Sequence, residues 1–153
     1  MSSVRSDVDP GTLGPHYGAC SCGAVTVALR LTAALSAQAL RQCTCDYCGE
    51  RNGIFLSDPK GGLEIRSTGV LIREKQGADI ADMLLCSSCQ DLIGAVCEIK
   101  GALKGVLRAP LLRHFDQLPA PELSAPQTLS GLEKVARWDA LWMPVTLEEE
   151  AGA

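Results

Sequence analysis

The alternation of apolar and polar positions predicts strands along much of the chain. The segment "GAVTVALRL", residues 23–31, alternates in the way that is typical of a half-buried strand. The segment "LIGAVCEIKG", residues 92–101, has the length and β-branched content of another strand. Residues 60–77, "KGGLEIRSTGVLIREKQG", predict two strands that form a hairpin around residues 67–69. Residues 32–42, "TAALSAQALRQ", are compatible with either a short helix or a loop.

The pattern changes to a helical period near the C-terminus, in "SGLEKVARWDALWMP". Ser130 and Glu133 have capping-box spacing, and the apolar positions that follow lie on one side of a helix over about residues 130–143. Trp138 and Trp142 belong to this apolar side. We interpret them as residues that pack the helix onto a β core, because apolar residues at helical spacing more often serve packing than ligand binding.

These patterns divide the chain into three parts. We predict a flexible lead-in over residues 1–17, a β domain over 18–105, and a C-terminal extension that contains the helix over 106–153. Within the extension, the proline-rich segment 118–127 predicts an extended connector, and the acidic segment 146–153 predicts a solvated end.

Composition and charge restrict the class of protein. Hydrophobic residues make up 46% and charged residues 21%, as in soluble globular domains, while aromatic residues make up only 4%. The core is therefore expected to consist mainly of Leu, Val, Ile and Ala. The net charge of -4 argues against a nucleic-acid partner, which would need clustered Lys and Arg. The start of the chain lacks a signal-like apolar region, and no apolar run is long enough to span a membrane. These features predict a cytoplasmic protein whose thiols stay reduced.

The cysteines carry the strongest chemical signal. Seven of the eight fall into a C-x-C, a C-x-C-x-x-C and a C-x-x-C motif, whose short spacings let neighbouring thiolates converge on one ion. The seven are Cys20, Cys22, Cys43, Cys45, Cys48, Cys86 and Cys89. Metal is favoured over disulfides because a reduced compartment is expected and because a C-x-C disulfide is strained. Zinc is favoured over an iron–sulfur cluster because the spacings match neither ferredoxin pattern.

The spacing leaves open how the seven cysteines are shared. If Cys20 and Cys22 join Cys86 and Cys89 in a closed tetrahedral site, the central C-x-C-x-x-C motif forms a separate group of three. Three thiolates leave the fourth position on zinc open to water or substrate, as in catalytic zinc sites. One shared site with spare thiols is compatible with the same sequence. Cys97 is favoured as a buried, inert thiol. Its alternative role is a fourth ligand that closes the central group.

Three segments together resemble one known family. The motifs "GACSCGAV", "CTCDYC…NG" and "LLCSSC", in this order, resemble the glutathione-dependent formaldehyde-activating enzyme family, which includes centromere protein V-like domains. The resemblance covers roughly residues 18–99. It implies a mainly β, tent-like fold of small antiparallel sheets held by zinc. It also implies a structural zinc on Cys20, Cys22, Cys86 and Cys89, and a catalytic zinc on Cys43, Cys45 and Cys48.

The family joins glutathione to formaldehyde and gives S-hydroxymethylglutathione, a carbon–sulfur lyase activity. The resemblance therefore implies a small thiol and a small aldehyde as partners, with no role for nucleic acid or membrane. The chain departs from the family at Thr44, where relatives usually carry His, and at Gly49, where Arg is frequent. It departs again at Gln90, where Gly normally follows the last cysteine pair.

A zinc held by three thiolates carries a formal charge of -1, which favours thiol transfer to a carbonyl over ester or amide hydrolysis. The carboxylates of glutathione need cationic or N–H partners, and Arg51 is the first candidate, followed by Arg66 and Arg73. For each arginine the commoner role is a solvated charge on a strand face. The alternative function is a non-catalytic, zinc-stabilised binding module.

Overall fold

The computed structural model describes residues 15–43, 53–76, 81–124 and 139–150, and these residues are mainly β-strand. The mainly β class predicted from the sequence is confirmed. The strands of the described residues are β1 His16–Ala19, β2 Val25–Arg30, β3 Arg41–Cys43, β4 Ile54–Leu56, β5 Gly62–Ser67, β6 Ile72–Gln76, β7 Ala81–Leu85, β8 Leu92–Ile99, β9 Ala102–Arg108, β10 Glu122–Ser124 and β11 Met143–Glu149. Single 3-10 turns occur at Leu35–Ala37, Ala109–Leu111 and Phe115–Gln117.

The described strands form one hydrogen-bonded sheet in the order β1-β2-β5-β11-β9-β4-β3-β10, and β6, β7 and β8 extend from β9 as a branch. Neighbouring strands are antiparallel except for the pairs β3 with β10 and β5 with β11, among the strands that the structure describes. The sheet is therefore mixed, whereas the family resemblance implied small antiparallel sheets.

The hairpin predicted around residues 67–69 is wrong, although both of its strands exist. Strand β5 pairs with β2 on one edge and with β11 on the other, so neither edge is left for β6. Strand β6 pairs with β7 instead. The connection after β5 is held elsewhere, since the Thr68 N–H donates to the Ala24 carbonyl and the Leu71 N–H donates to the Glu149 carboxylate.

The prediction of a solvated end over 146–153 is wrong for residues 146–149, which belong to β11. This strand lies inside the sheet, parallel to β5 and antiparallel to β9. Its side chains alternate, since Val145 and Leu147 pack against the core while Thr146 and Glu148 face outward. The strand carries a period-two pattern that its acidic composition conceals.

Three boundaries in the structure differ from those predicted from the sequence. Strand β1 begins inside the segment predicted as a lead-in, and His16 is only 2% exposed. Strand β9 crosses the boundary predicted at residue 105. Most of the helix predicted over about 130–143 lies outside the described residues; residues 139–141 are helical, and Met143 already belongs to β11. Among the described residues, no helix is long and apolar enough to cross a lipid bilayer.

Two groups of buried side chains stabilise the sheet. The larger group lies on one side and contains mostly Leu, Ile and Val, as the composition predicted. The smaller group lies against β7, β8 and β9 and includes Met83, Cys97 and Trp142. Trp142 is 7% exposed, which confirms its interpretation as a packing residue.

Candidate metal centre

The turn between β1 and β2 carries the first cysteine pair. The Cys20 N–H donates to the Val25 carbonyl at 3.0 Å, and the Gly23 N–H donates back to the Cys20 carbonyl at 3.1 Å. Gly23 has a φ of 81°, a left-handed conformation that favours glycine. The turn directs the Val25 N–H at the Cys20 sulfur, at 3.3 Å, which fixes the position of that sulfur.

The turn between β7 and β8 repeats this arrangement. The Cys86 N–H donates to the Asp91 carbonyl at 3.0 Å, and the Gln90 N–H donates to the Cys86 carbonyl at 2.8 Å. The Ser88 N–H points at the Cys86 sulfur, at 3.4 Å. Gln90 has a φ of 65°. This left-handed conformation favours glycine, so the Gln90 backbone is strained here.

The two turns bring together the four cysteines that were predicted to share one site. The Sγ atoms of Cys20, Cys22, Cys86 and Cys89 all lie within 4.8 Å of one another. The Cys22 sulfur lies 3.7 Å from that of Cys20 and 3.6 Å from that of Cys86. Tetrahedral coordination with Zn–S bonds of about 2.3 Å places sulfurs about 3.8 Å apart, which these distances match. They are far longer than a disulfide bond.

Burial differs among these four cysteines. Cys20 and Cys86 are buried, Cys89 is half-buried, and Cys22 is exposed. All four are free thiols, as is Cys97. The cluster therefore sits at the edge of the core with one sulfur open to solvent, and four such sulfurs could bind a metal such as zinc.

The ionisation of the cluster also favours a cation. Burial acts to raise the pKa of Cys86, but the N–H groups of Cys89 and Ser88 outweigh burial and lower that pKa to about 7. The backbone N–H of Ala24 acts to lower the pKa of Cys22, but desolvation and the neighbouring sulfurs raise it to about 11. The pKa of Cys86 thus lies near neutral pH, whereas deprotonation of Cys22 would be favoured by a bound positive charge.

A carboxylate that the sequence did not single out lies between the two turns. The Asp91 Oδ2 atom accepts a hydrogen bond from the Ser21 N–H at 2.7 Å and another from the Ser21 hydroxyl at 2.5 Å. Burial opposes ionisation of Asp91, but these bonds and the charge of Arg108 outweigh burial and hold the pKa of Asp91 below its usual range. Serine and aspartate are common in turns, so no local signal in the sequence marks this pair.

The central cysteine motif falls largely outside the described residues. Cys45, Cys48 and Arg51 all lie there. Cys43 ends β3, and only its backbone is described, in register with Ser124 of β10. The second zinc site on these three cysteines therefore stays a prediction.

Cys97 matches the prediction of a buried thiol, since it is 7% exposed on β8. Burial raises its pKa, which disfavours the reactive thiolate. Its sulfur is not a member of the four-cysteine cluster. Its alternative role as a fourth ligand of the central group stays untested.

Arg66 and Arg73 are solvated charges on strand faces, which is the commoner of the two roles considered for them. The Arg66 guanidinium lies 3.4 Å from the Glu64 carboxylate and 3.3 Å from that of Glu148. The Arg73 guanidinium lies 3.1 Å from the Glu149 carboxylate. Both arginines are exposed strand-face residues whose charge is balanced by acidic neighbours.

A groove of about 440 Å³ crosses the outer face of β1, β2 and β5, and Tyr17, Arg66 and Arg113 contribute to its walls. In this groove the charge of Arg66 is already balanced by Glu64 and Glu148.

Fold and site together define a mainly β protein with a four-cysteine cluster able to hold a metal ion. No protein-family model matches the chain, and no curated protein matches it. A structural genomics crystal structure of a Rhodobacter sphaeroides protein is similar, with a TM-score of 0.53 and 19% sequence identity. The match covers 71% of this chain and 99% of that one, and at this identity it shows a similar fold alone.

Proposed function

We propose that this protein is a zinc-dependent carbon–sulfur lyase-type enzyme, which adds a thiol such as glutathione to a small aldehyde such as formaldehyde or releases that aldehyde. In this proposal Cys20, Cys22, Cys86 and Cys89 hold a structural zinc, and the central motif holds a catalytic one. The observation that carries the proposal is a ligand count. Four cysteines already complete one tetrahedral set, which leaves Cys43, Cys45 and Cys48 as a separate group of three.

The donor set fits the proposed chemistry. Zinc bound by the central motif would supply the positive charge that keeps an incoming thiol deprotonated at neutral pH. The thiolates of Cys43, Cys45 and Cys48 would soften that charge, so the substrate sulfur would stay nucleophilic. The sulfur would form a bond to the aldehyde carbon as the carbonyl π bond breaks, and the oxygen would take up one proton from solvent in place of the proton that the thiol released. The reverse reaction breaks the same bond and returns the free aldehyde.

Arg51 is the proposed partner for the carboxylates of the thiol substrate, because it follows the central motif by three residues. Arg66 and Arg73 are weaker candidates, since both already pair with glutamates. The resemblance to the formaldehyde-activating family supports the ligand set more strongly than the substrate, because Thr44 and Gly49 replace the side chains that relatives usually carry beside the zinc.

A second candidate is a non-catalytic binding module stabilised by zinc. The altered setting around Cys48 and Gln90 favours it, and the four-cysteine cluster alone could hold the stabilising metal. In that case the central motif is closed by a fourth protein ligand or holds no metal.

Glutathione titration of the cobalt-substituted protein distinguishes the two candidates. A site with an open position gains a thiolate when glutathione binds, so the thiolate-to-cobalt absorption bands should increase in wild-type protein and stay constant in Cys45→Ser. Acceleration of glutathione–formaldehyde adduct formation over the uncatalysed rate, followed by NMR, should be lost in the same variant. Bands that glutathione leaves unchanged in the wild type would favour the binding module.

A further inference from the structure

We infer that Asp91, which is not a metal ligand, is the positioning residue that assembles the four-cysteine site before metal binds. The carboxylate of Asp91 follows the second cysteine turn and accepts both the backbone N–H and the hydroxyl of Ser21, which lies between the two cysteines of the first turn. One side chain thus joins the two halves of the site.

The two halves lie on strands that belong to one sheet but do not pair with each other. Strand β2 has β1 and β5 as its neighbours, whereas β8 has β7 and β9, so among the described strands no ladder runs directly between the two hairpins. Among the described residues, the hydrogen bonds between the two turns are those of Ser21 with Asp91, apart from the sulfur contacts themselves. Cys20 and Cys86 also pack in one core cluster, and Asp91 is the hydrogen-bonded link that fixes the two turns relative to each other without metal.

Asp91 is suited to this role because it is anchored on both sides. Its backbone carbonyl accepts the Cys86 N–H at 3.0 Å, which fixes its position relative to the second turn. The positive charge of Arg108, at the end of β9, offsets the charge of the Asp91 carboxylate beside a thiolate-rich site. The carboxylate is not part of the group whose ligand atoms converge. Asp91 therefore acts on the metal through the position of the cysteines.

The expected effect is a loss of metal affinity with an unchanged ligand set. When the two cysteine turns are already held in place, metal binding does not have to order them. Loss of a contact that positions the ligands in this way typically weakens a metal site by about 10–100-fold. Asp91→Ala should therefore raise the zinc dissociation constant by about that factor. Asp91→Asn should have a smaller effect, because the amide oxygen still accepts hydrogen bonds.

The test is chelator competition for zinc in the full chain on a Cys45→Ser background, which removes a ligand of the central motif from the titration. Asp58→Ala is the matched control, because Asp58 accepts the N–H and the hydroxyl of Thr32 in the same way, but neither residue lies in a cysteine turn. Asp58→Ala should leave the zinc dissociation constant unchanged even though it destabilises the fold.

Cobalt absorption completes the test. All variants should keep the spectrum of four thiolates, and the Asp91 variants should lose metal faster. Equal zinc affinity in Asp91→Ala and its background would overturn the inference, as would an altered cobalt spectrum, which would make Asp91 a ligand. Should Asp91→Ala not fold, Ser21→Ala removes one of the two hydrogen bonds and should still weaken binding by several-fold; unchanged affinity in that variant would equally overturn the inference.

Discussion

The two ends of strand β2 are held by the same pattern of hydrogen bonds, yet only one end carries cysteines. Before the strand, Ser21 donates its N–H and hydroxyl to Asp91. After the strand, Thr32 donates its N–H at 2.7 Å and its hydroxyl at 2.6 Å to Asp58. A carboxylate that accepts both donors of one residue is thus a general means of fixing a loop in this protein. The residues beside such a carboxylate determine whether it stabilises the fold or a metal site.

The surroundings of the two carboxylates differ. Asp58 is buried and also accepts the Lys60 N–H at 3.1 Å, so it organises its own turn as well as the loop after β2. Asp91 is half-buried and lies beside the cysteine cluster. The first pair should therefore contribute mainly to the free energy of unfolding, and the second mainly to metal affinity.

The largest effect on stability is expected from Asp58→Ala. The change leaves the Thr32 N–H and hydroxyl without their charged acceptor, which should lower the free energy of unfolding by about 2–4 kcal/mol. Urea unfolding of the zinc-loaded protein measures this loss. A loss below about 0.5 kcal/mol would contradict the structural role of the Asp58–Thr32 pair.

The contribution of Asp58 should also depend on pH. Burial acts to raise the pKa of Asp58, but the hydrogen bonds from Thr32 and from the backbone of its own turn outweigh burial and lower it. Because the folded pKa lies below the unfolded value, this stabilisation is complete above about pH 5 and is lost as the pH falls through the folded pKa. The difference in unfolding free energy between wild type and Asp58→Asn should therefore be constant from pH 7 to 5 and shrink below about pH 4. Release of zinc at low pH affects both proteins and cancels in this difference. A difference that grows in acid would show that the sign is wrong.

The smallest effects are expected at the two left-handed residues of the cysteine turns. A left-handed conformation costs about 1–2 kcal/mol in residues other than glycine, and Gln90→Gly removes this cost. Glycine loses more conformational entropy on folding, so the net stabilisation should be up to about 1 kcal/mol.

Gly23→Ala is the matched reverse change. A Cβ at Gly23 would meet no atom within 4 Å, so the variant reports backbone conformation alone and should destabilise the protein by about 1 kcal/mol. Thermal unfolding with saturating zinc checks both variants. A loss of stability in Gln90→Gly would mean that the Gln90 side chain has a role that its backbone does not explain.

The sequence predicts a feature when the pattern that specifies it lies within one short segment of the chain. Strands β2 and β8 were predicted because their own residues alternate or are continuously apolar. The pairing of β5 with β2 and β11 could not be predicted, because the partners of β5 lie far away along the chain. Strand β11 was missed because its acidic residues conceal the alternation of Val145 and Leu147.

The same distinction applies to the site. The spacing of the cysteines predicted that four of them could meet, and the structure brings Cys20, Cys22, Cys86 and Cys89 together. The contact between Ser21 and Asp91 could not be predicted, because only the folded sheet brings residues 70 positions apart into hydrogen-bond distance.

Zinc content per chain, measured on purified protein by inductively coupled plasma mass spectrometry, is the sharpest test of a second metal site. We expect about two equivalents in wild type and about one in Cys45→Ser with the fold retained. We also expect Cys97→Ala to keep both equivalents, since Cys97 lies outside the four-cysteine cluster and is proposed to be an inert buried thiol. A single equivalent in wild type that Cys45→Ser leaves in place would rule out the second site, because the central motif would then hold no metal.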